Sequence, residues 1–586
     1  MAGDSGTGKS GWSSGLFVRP GFALAPGGRG VQGPRLMNRS PFVKLRLLVL
    51  TLLCGLLAAP LLQAAPESPA PPTLDQKIDA WFGSVTKPFV DLIFMKVKIG
   101  EFEAFAVIFW LAAAGVILTI SFKFLNVTAF PLAWRTVRGK YSLPGDPGQV
   151  THFQALTAAV SGTVGLGNIA GVAIGIQNGG PGVAFWLFLS GIIGMSTKFA
   201  ECTLGVKYRE FDANGNVHGG AMYYLRKGFA ERGFKTVGAL LAGLFAVMCV
   251  FASFGGGNVF QVNQVTSQLI NITGGEASFF AANQWVFGLI MALLTALVII
   301  GGIKGIANVT GRLVPLMCIL YVMSCIVVLA VNASDIIPAL GTIVREAFQP
   351  RAAIIGGLLS AFIWGMRRAT FSNEAGIGSA PIAHAAAKTR RPASEGIVAL
   401  LEPFLDTVVI CTMTALVLCV TMHFSSAGGA DFTIHNHPFV LGTVVGDGTK
   451  FGIQMTSLAF ETVHPGFKYV LFVCVFLFAF STLITWSYYG LQAWQYLFGR
   501  KEITAWIYKV IFCLIVIVGS SASMGNATDF SDASLFGMSI PNLIGVYFLL
   551  PIVRSELARF MIFTRRVDSG LSIDEADAME EADLKS

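Results

Sequence analysis

The stretch Gly162-Thr163-Val164-Gly165-Leu166-Gly167-Asn168 lies inside an apolar segment, residues 154–176, that is long enough to cross a bilayer. Three glycines weaken the helix there. In hydrocarbon an unwound backbone survives only where protein or a water-filled cavity satisfies its N–H and C=O groups, so a glycine-broken membrane helix points to a binding site. The N–H groups freed at Gly165 and Gly167, at the partly positive end of a half-helix, suit an anionic group such as a carboxylate. The order glycine, aliphatic, glycine, small polar returns 211 residues later as Gly376-Ile377-Gly378-Ser379. A single Gly-x-Gly reads equally well as a place of close helix packing. Two matched copies favour a pair of breaks.

Other residues of suitable chemistry lie in the same kind of segment. Asn258 and Gln261, in Gly255-Gly256-Gly257-Asn258-Val259-Phe260-Gln261, suit either a polar ligand or bonds between helices. Ser481 and Thr482 supply hydroxyls to a hard cation, or bond back to their own helix. Arg367, Arg368 and Glu374 are charges inside a membrane segment, suited to a gate pairing across the second break or to anchoring helix ends. Glu402 and Asp406, spaced i, i+4, read as a proton relay or as links between helices. His423, His435 and His437 fall in a polar loop and read as surface histidines. Residues 3–10, Gly-Asp-Ser-Gly-Thr-Gly-Lys-Ser, fit the phosphate-loop pattern. That pattern needs a preceding strand and a following helix, and glycine and proline crowd residues 11–34 instead. A membrane enzyme or nucleotide-driven pump would rest on this match alone.

The elements that must position these residues are membrane helices. The 586 residues are 54% hydrophobic and 13% charged, with a mean hydropathy of +0.66. Such a composition belongs to an all-α polytopic membrane protein. The net charge of +8 is spread among short loops, which argues against a nucleic-acid partner. The nine cysteines form no Cys-x-x-Cys pair and read as small buried side chains. Residues 1–36 read as a doubtful extension ahead of Met37, and 37–65 resemble a signal peptide with a basic start, an apolar core and a small-residue end. Residues 66–101 carry an amphipathic segment at 74–94. The first firm span is 102–124, followed by ten near 154–178, 182–206, 237–270, 284–303, 310–332, 352–387, 396–422, 458–490, 505–521 and 536–553.

Basic residues gather in alternate loops, which sets that side in the cytoplasm, the start of the first span outside and the 554–586 tail inside. Without the first span the helices divide five and five, residues 152–332 and 352–553. An odd number per half inverts the second copy.

Gly162 to Ala173, Gly179-Gly180-Pro181-Gly182, Thr197-Lys198-Phe199-Ala200-Glu201, Phe371-Ser372-Asn373-Glu374-Ala375-Gly376 and Ser379-Ala380-Pro381-Ile382-Ala383 closely resemble the bacterial alanine or glycine:cation symporter family. The likeness spans roughly residues 100–555. It implies a leucine-transporter fold of two inverted five-helix repeats plus one extra N-terminal helix, about 11 helices, in the bacterial inner membrane. It also implies uptake of small neutral amino acids with Na+ as coupling ion, with no organic cofactor and no obligate protein partner inferred. By that resemblance Thr163, Gly165, Gly167 and Asn168 meet substrate, with Phe371, Ser372, Asn373 and Gly376 opposite, and Asn258 and Gln261 as further candidates. The carbonyls of Ser161 and Val164 would join Ser481 and Thr482 around sodium. Neurotransmitter-type sodium symporters share the Gly-Leu-Gly-Asn core, and proton coupling is the other open reading; the segment Ser372 to Gly376 favours the alanine/glycine family. Two departures from the family pattern are the long N-terminal extension and Ala221 where proline is usual.

Overall fold

The computed structural model describes residues 73–99, 102–348, 359–425, 429–442 and 452–585. The phosphate-loop-like run, the doubtful extension and the signal-like segment lie outside them. The chain is mostly helical. The amphipathic segment forms α1 (Leu74–Ile93), opened by a capping box in which Thr73 and Gln76 satisfy each other's backbone N–H groups. It lies along the bundle through Phe82, whose ring meets Phe530 at 5.3 Å between centroids.

The first firm span starts later than its hydropathy suggests. Residues 102–105 form β2 (Phe102–Phe105), paired with β1 (Lys96–Ile99), and α2 covers Ala106–Ser121. Then come α3 (His152–Thr163) and α4 (Val172–Gly179), one bent pair with 52° between its halves, followed by α5 (Val183–Lys207). Thr151 and Gln154 form the capping box that starts α3. Gly180, at φ +76° just before Pro181, ends α4, as expected for a residue free to turn left-handed.

A short antiparallel pair, β3 (Glu210–Phe211) and β4 (Val217–His218), leads to α6 (Ala221–Glu231). The next span, α7 (Lys235–Ile272), contains a π-turn at Gly255–Val259. After it come α8 (Gln284–Ile299), α9 (Gly302–Val331) and α10 (Ile336–Phe348).

The segment expected as one span at 352–387 is broken in two. Its described parts are α11 (Leu359–Asn373) and the single turn α12 (Pro381–His384). The next helix, α13 (Pro392–Thr421), also carries a π-turn, Phe404–Cys411. A three-stranded antiparallel ladder follows, β5 (His423–Phe424), β6 (Asp431–Ile434) and β7 (His437–Val440), and the three loop histidines are exposed on it.

The chain closes with α14 (Ile453–Glu461), α15 (Phe467–Phe498), α16 (Glu502–Ser521), α17 (Met524–Phe548), α18 (Leu550–Asp568) and α19 (Ile573–Lys585). The helix α17 begins twelve residues before the span expected at 536. Ser523 caps it, and its polar first turns contain Asp529 and Asp532. The expected tail is helical in α18 and α19.

Among the described residues six helices are long and apolar enough to cross a membrane, or eight if each bent pair is one span. The apolar helices α2 and α8 are shorter.

Candidate functional site

The first break lies between α3 and α4. Val164, at φ −75° and ψ 86°, leaves the helical region, and the chain re-enters through a π-turn at Gly167–Gly171. The two glycine pairs serve different ends. At the second break the chain turns left-handed at Glu374, Gly376 and Gly378, with φ of 57°, 88° and 86°. Two of these three positions have the residue that such backbone favours. Gly165 and Gly167 instead permit close approach. A Cβ on Gly165 would fall 2.5 Å from Thr482 Oγ1, and one on Gly167 would fall 3.0 Å from the Phe371 ring.

The donors freed at the first break are partly taken within the protein. Asn168 Oδ1 accepts from Gly165 N–H at 2.8 Å, and Gln261 Oε1 accepts from Leu166 N–H at 2.8 Å. Gly165 is therefore a packing and capping position, not the free carboxylate donor that its place in the break suggests.

An enclosed cavity sits at the junction, lined by Gly162, Thr163, Gly167, Gly256, Gln261, Phe371, Glu374, Trp486 and Leu535. The space open to the centre of a water molecule is about 10 Å³, enough for about one water. Gly256 and Gly257 let two large side chains approach it. A Cβ on Gly256 would lie 2.6 Å from Leu535, and one on Gly257 2.2 Å from Trp486.

Of the residues expected at substrate, Thr163, Gly167, Gln261 and Phe371 line this cavity and the others do not. Asn258 donates to the Phe512 carbonyl of α16 at 2.9 Å, the interhelical role. The Gly376 carbonyl accepts from Asn542 of α17 at 2.8 Å. Asn168, Ser372 and Asn373 turn to the π-turn of α13. Asn168 Nδ2 donates to Asp406 Oδ1 at 2.6 Å, the Ser372 hydroxyl donates to Asp406 Oδ2 at 2.9 Å, and Asn373 Nδ2 donates to the Thr407 hydroxyl at 3.0 Å. Asp406, fully buried, thus ties both broken helices to α13. Of the two readings of Glu402 and Asp406, a relay or links between helices, Asp406 shows the second, and the two carboxyl groups occupy separate networks.

Of the residues expected at sodium, Ser161, Ser481 and Thr482 are joined by hydrogen bonds. Ser161 donates its hydroxyl to the Ser481 carbonyl at 2.9 Å, while its own carbonyl accepts from Thr482 at 3.2 Å. Thr485, which was not singled out, donates to the Ser161 hydroxyl at 2.9 Å. Its signal was its position one turn beyond Ser481, on the same helix face. Ser481 itself donates back to Phe478 at 2.9 Å. Val164 ends α3 beside this group, its N–H still bonded to Val160 at 2.7 Å. The donor set is hydroxyls and carbonyls, the chemistry that sodium prefers.

The expected pairing of Arg367 or Arg368 with Glu374 is not formed. Both arginines meet Asp532 of α17, Arg367 Nε at 2.5 Å. Glu374 accepts from Trp486 Nε1 at 3.0 Å and from the Ser379 hydroxyl. The partner was missed because the polar start of α17 reads as a loop.

Two broken helices facing each other across a small polar-walled cavity, inside a bundle of apolar helices, define a membrane transporter and not an enzyme. Comparison with known proteins narrows the class. The chain belongs to the sodium:alanine symporter family, whose model matches residues 92–570. The sodium/alanine symporter AgcS of Methanococcus maripaludis is 38% identical over 450 residues, 77% of this chain and 93% of that one. The amino-acid carrier protein AlsT of Bacillus subtilis is 32% identical over 443 residues, 75% of this chain and 86% of that one. Among solved structures, MhsT in complex with L-phenylalanine is similar with a TM-score of 0.44 at 15% identity, covering 70% of this chain and 100% of the other. Family membership makes the protein a multi-pass amino-acid:cation symporter.

Proposed function

We propose that the protein imports alanine, glycine or a similar small neutral amino acid with sodium, by alternating access in the bacterial inner membrane. The observation that carries this reading is the cavity between the breaks, walled by Thr163, Gly167, Gln261, Phe371, Glu374 and Trp486. Its backbone and polar groups suit a zwitterion, which is admitted when the walls part, since the closed cavity holds about one water. The name of AgcS, a sodium/alanine symporter, supports both substrate and ion. Sodium sits among Ser161, Val164, Ser481 and Thr482. The helices α2 and α8 and the broken pair α11 and α12 complete eleven spans, arranged as one helix followed by two inverted repeats of five. The basic loops face the cytoplasm, the chain starts its first span from outside, and the 554–586 tail is inside.

Radiolabelled alanine or glycine uptake into sealed proteoliposomes, without nucleotide, tests this reading. Accumulation only under an inward sodium gradient supports it; uptake indifferent to sodium rejects it. One observation favours a second reading, proton coupling. Asp406 is buried and takes bonds from neutral donors, Asn168, Ser372 and Thr407, so its carboxyl group is placed either to take a proton or to face a cation. Accumulation driven by a pH gradient without sodium would establish that alternative.

A further inference from the structure

A second buried network of charged side chains lies apart from the sodium locus. Lys198 and Glu201 of α5, Glu395 and Glu402 of α13, His152 at the start of α3 and His384 at the end of α12 are all buried. Lys198 Nζ lies 2.9 Å from Glu402 Oε1. Glu395 meets two imidazoles, His384 Nδ1 at 2.7 Å on one oxygen and His152 Nδ1 on the other. The second nitrogen of His384, Nε2, faces Glu402 Oε2 at 3.4 Å. Further ionisable groups around it are Cys202 of α5, Tyr224 of α6, Glu374 at the second break, Asp406 of α13, Tyr489 of α15 and, at the rim, Arg209 and Asp146. Arg209 donates to the carbonyls of Ala385 and Ala387, directly beyond His384, and lines a groove of about 620 Å³ together with Thr389, Arg390 and Arg391.

A neutral imidazole has one N–H and one lone pair, so a ring with a carboxylate oxygen at each nitrogen either donates from both or sets a lone pair against an anion.

We infer that His384 is a proton-binding site, held as imidazolium between Glu395 and Glu402, and that its proton is an ionic ligand of the transport cycle additional to the coupling ion. His384 ends α12, while both glutamates belong to α13, and Glu395 also holds the start of α3 through His152. Loss of the proton removes the donor that faces Glu402 and loosens α12 from α13. The groove beside Arg209 brings solvent to the loop just past His384. The link to transport rests on the alternating-access reading; the proton on His384 does not.

Nitrogen NMR of full-length, histidine-labelled protein in lipid nanodiscs tests the site at mildly alkaline pH, where an ordinary histidine is neutral. The expected result is an imidazolium signal in the wild type that disappears in His384→Gln. A wild type with only neutral imidazoles overturns the assignment. Should His384→Gln fail to fold, Glu402→Gln serves instead: the imidazolium should lose its proton at lower pH than in wild type, and an unchanged titration overturns the proposal. Sodium-driven uptake, followed through the pH at which the His384 signal titrates, should change by roughly tenfold, as for a coupling of about one pKa unit. Uptake that stays flat across that titration overturns the role in transport. Absence of sodium-driven uptake at any pH, with the imidazolium present, rejects the sodium reading and leaves the proton site standing.

Discussion

The side-chain oxygen of Gln261 accepts the backbone N–H of Leu166 at 2.8 Å, while its amide nitrogen donates to the Gly256 carbonyl at 2.9 Å. One side chain therefore joins the interrupted backbone of the first broken helix to the π-turn of α7. Gln261→Ala should leave both groups buried and unsatisfied, at about 1–3 kcal/mol each. The expected outcome is a lower thermal unfolding midpoint together with weaker amino-acid binding, measured on the same purified sample.

Thr482→Ala removes the hydroxyl that reaches the Ser161 carbonyl. Sodium affinity should fall first. Because coupling between two bound ligands is reciprocal, amino-acid affinity should weaken at low sodium and recover as sodium is raised. Binding curves against sodium at fixed pH, for wild type and variant, check this; superimposable curves remove the ion from this position.

Asp406→Asn separates the two ions. The amide keeps one acceptor but sets an NH2 among the groups that now donate to the carboxyl group. If sodium alone drives uptake from the Thr482 locus, the variant should bind more weakly, with its sodium dependence retained. If a proton on Asp406 drives it, uptake under a pH gradient should vanish.

The two glycines of the first break should fail in different ways. Gly165→Ala drives a methyl group against Thr482 Oγ1, so the sodium dependence should shift first. Gly167→Leu drives a larger side chain against the Phe371 ring and into the cavity, so substrate binding should be lost while surface expression persists. Direct binding assays over a sodium series distinguish the two, and identical defects contradict the separation of sites.

On the basic side, Glu210 meets Arg226 at 2.7 Å, Lys227 at 3.3 Å and Arg500 at 2.9 Å. Burial alone would raise its carboxyl pKa, but the hydrogen bond from Arg500 and the charges of Lys227 and Arg226 win, and it lies below the usual glutamate value. A depressed carboxyl stabilises the fold fully above the unfolded glutamate pKa, and that contribution is lost as pH falls through the folded value. The unfolding midpoints of wild type and Glu210→Gln should therefore differ at neutral pH and converge in acid.

The apolar segments made most helices legible in the sequence, because membrane spans are continuous in composition, and the glycine cores marked both breaks. Local chemistry then misled in three places. The N–H of Gly165 looked free, but Asn168, three residues on, reaches back to it. Arg367 and Arg368 were open to pairing with Glu374 or to anchoring helix ends, but Asp532 of α17 lies against them. Glu402 and Asp406, spaced on one face, read as a relay or as links between helices, but a π-turn begins between them and each links helices in its own network. The last two cases depend on contacts that packing creates between residues up to 238 positions apart, and no periodicity records such contacts.

Asp75 of α1 accepts from the N–H groups of Gln284 and Trp285 at 3.1 and 3.2 Å and from the Ser521 hydroxyl, while Asp79 accepts from Ser523 N–H at 2.6 Å. A surface helix thus caps the start of α8 and holds Ser523, the cap of α17, two elements that sequence position would assign to remote parts of the chain. Anyone trimming the chain for expression or fusing a tag to it has a boundary here. A shortened form that keeps Thr73 onward retains these caps, and one cut inside α1 exposes helix ends more than 200 residues downstream.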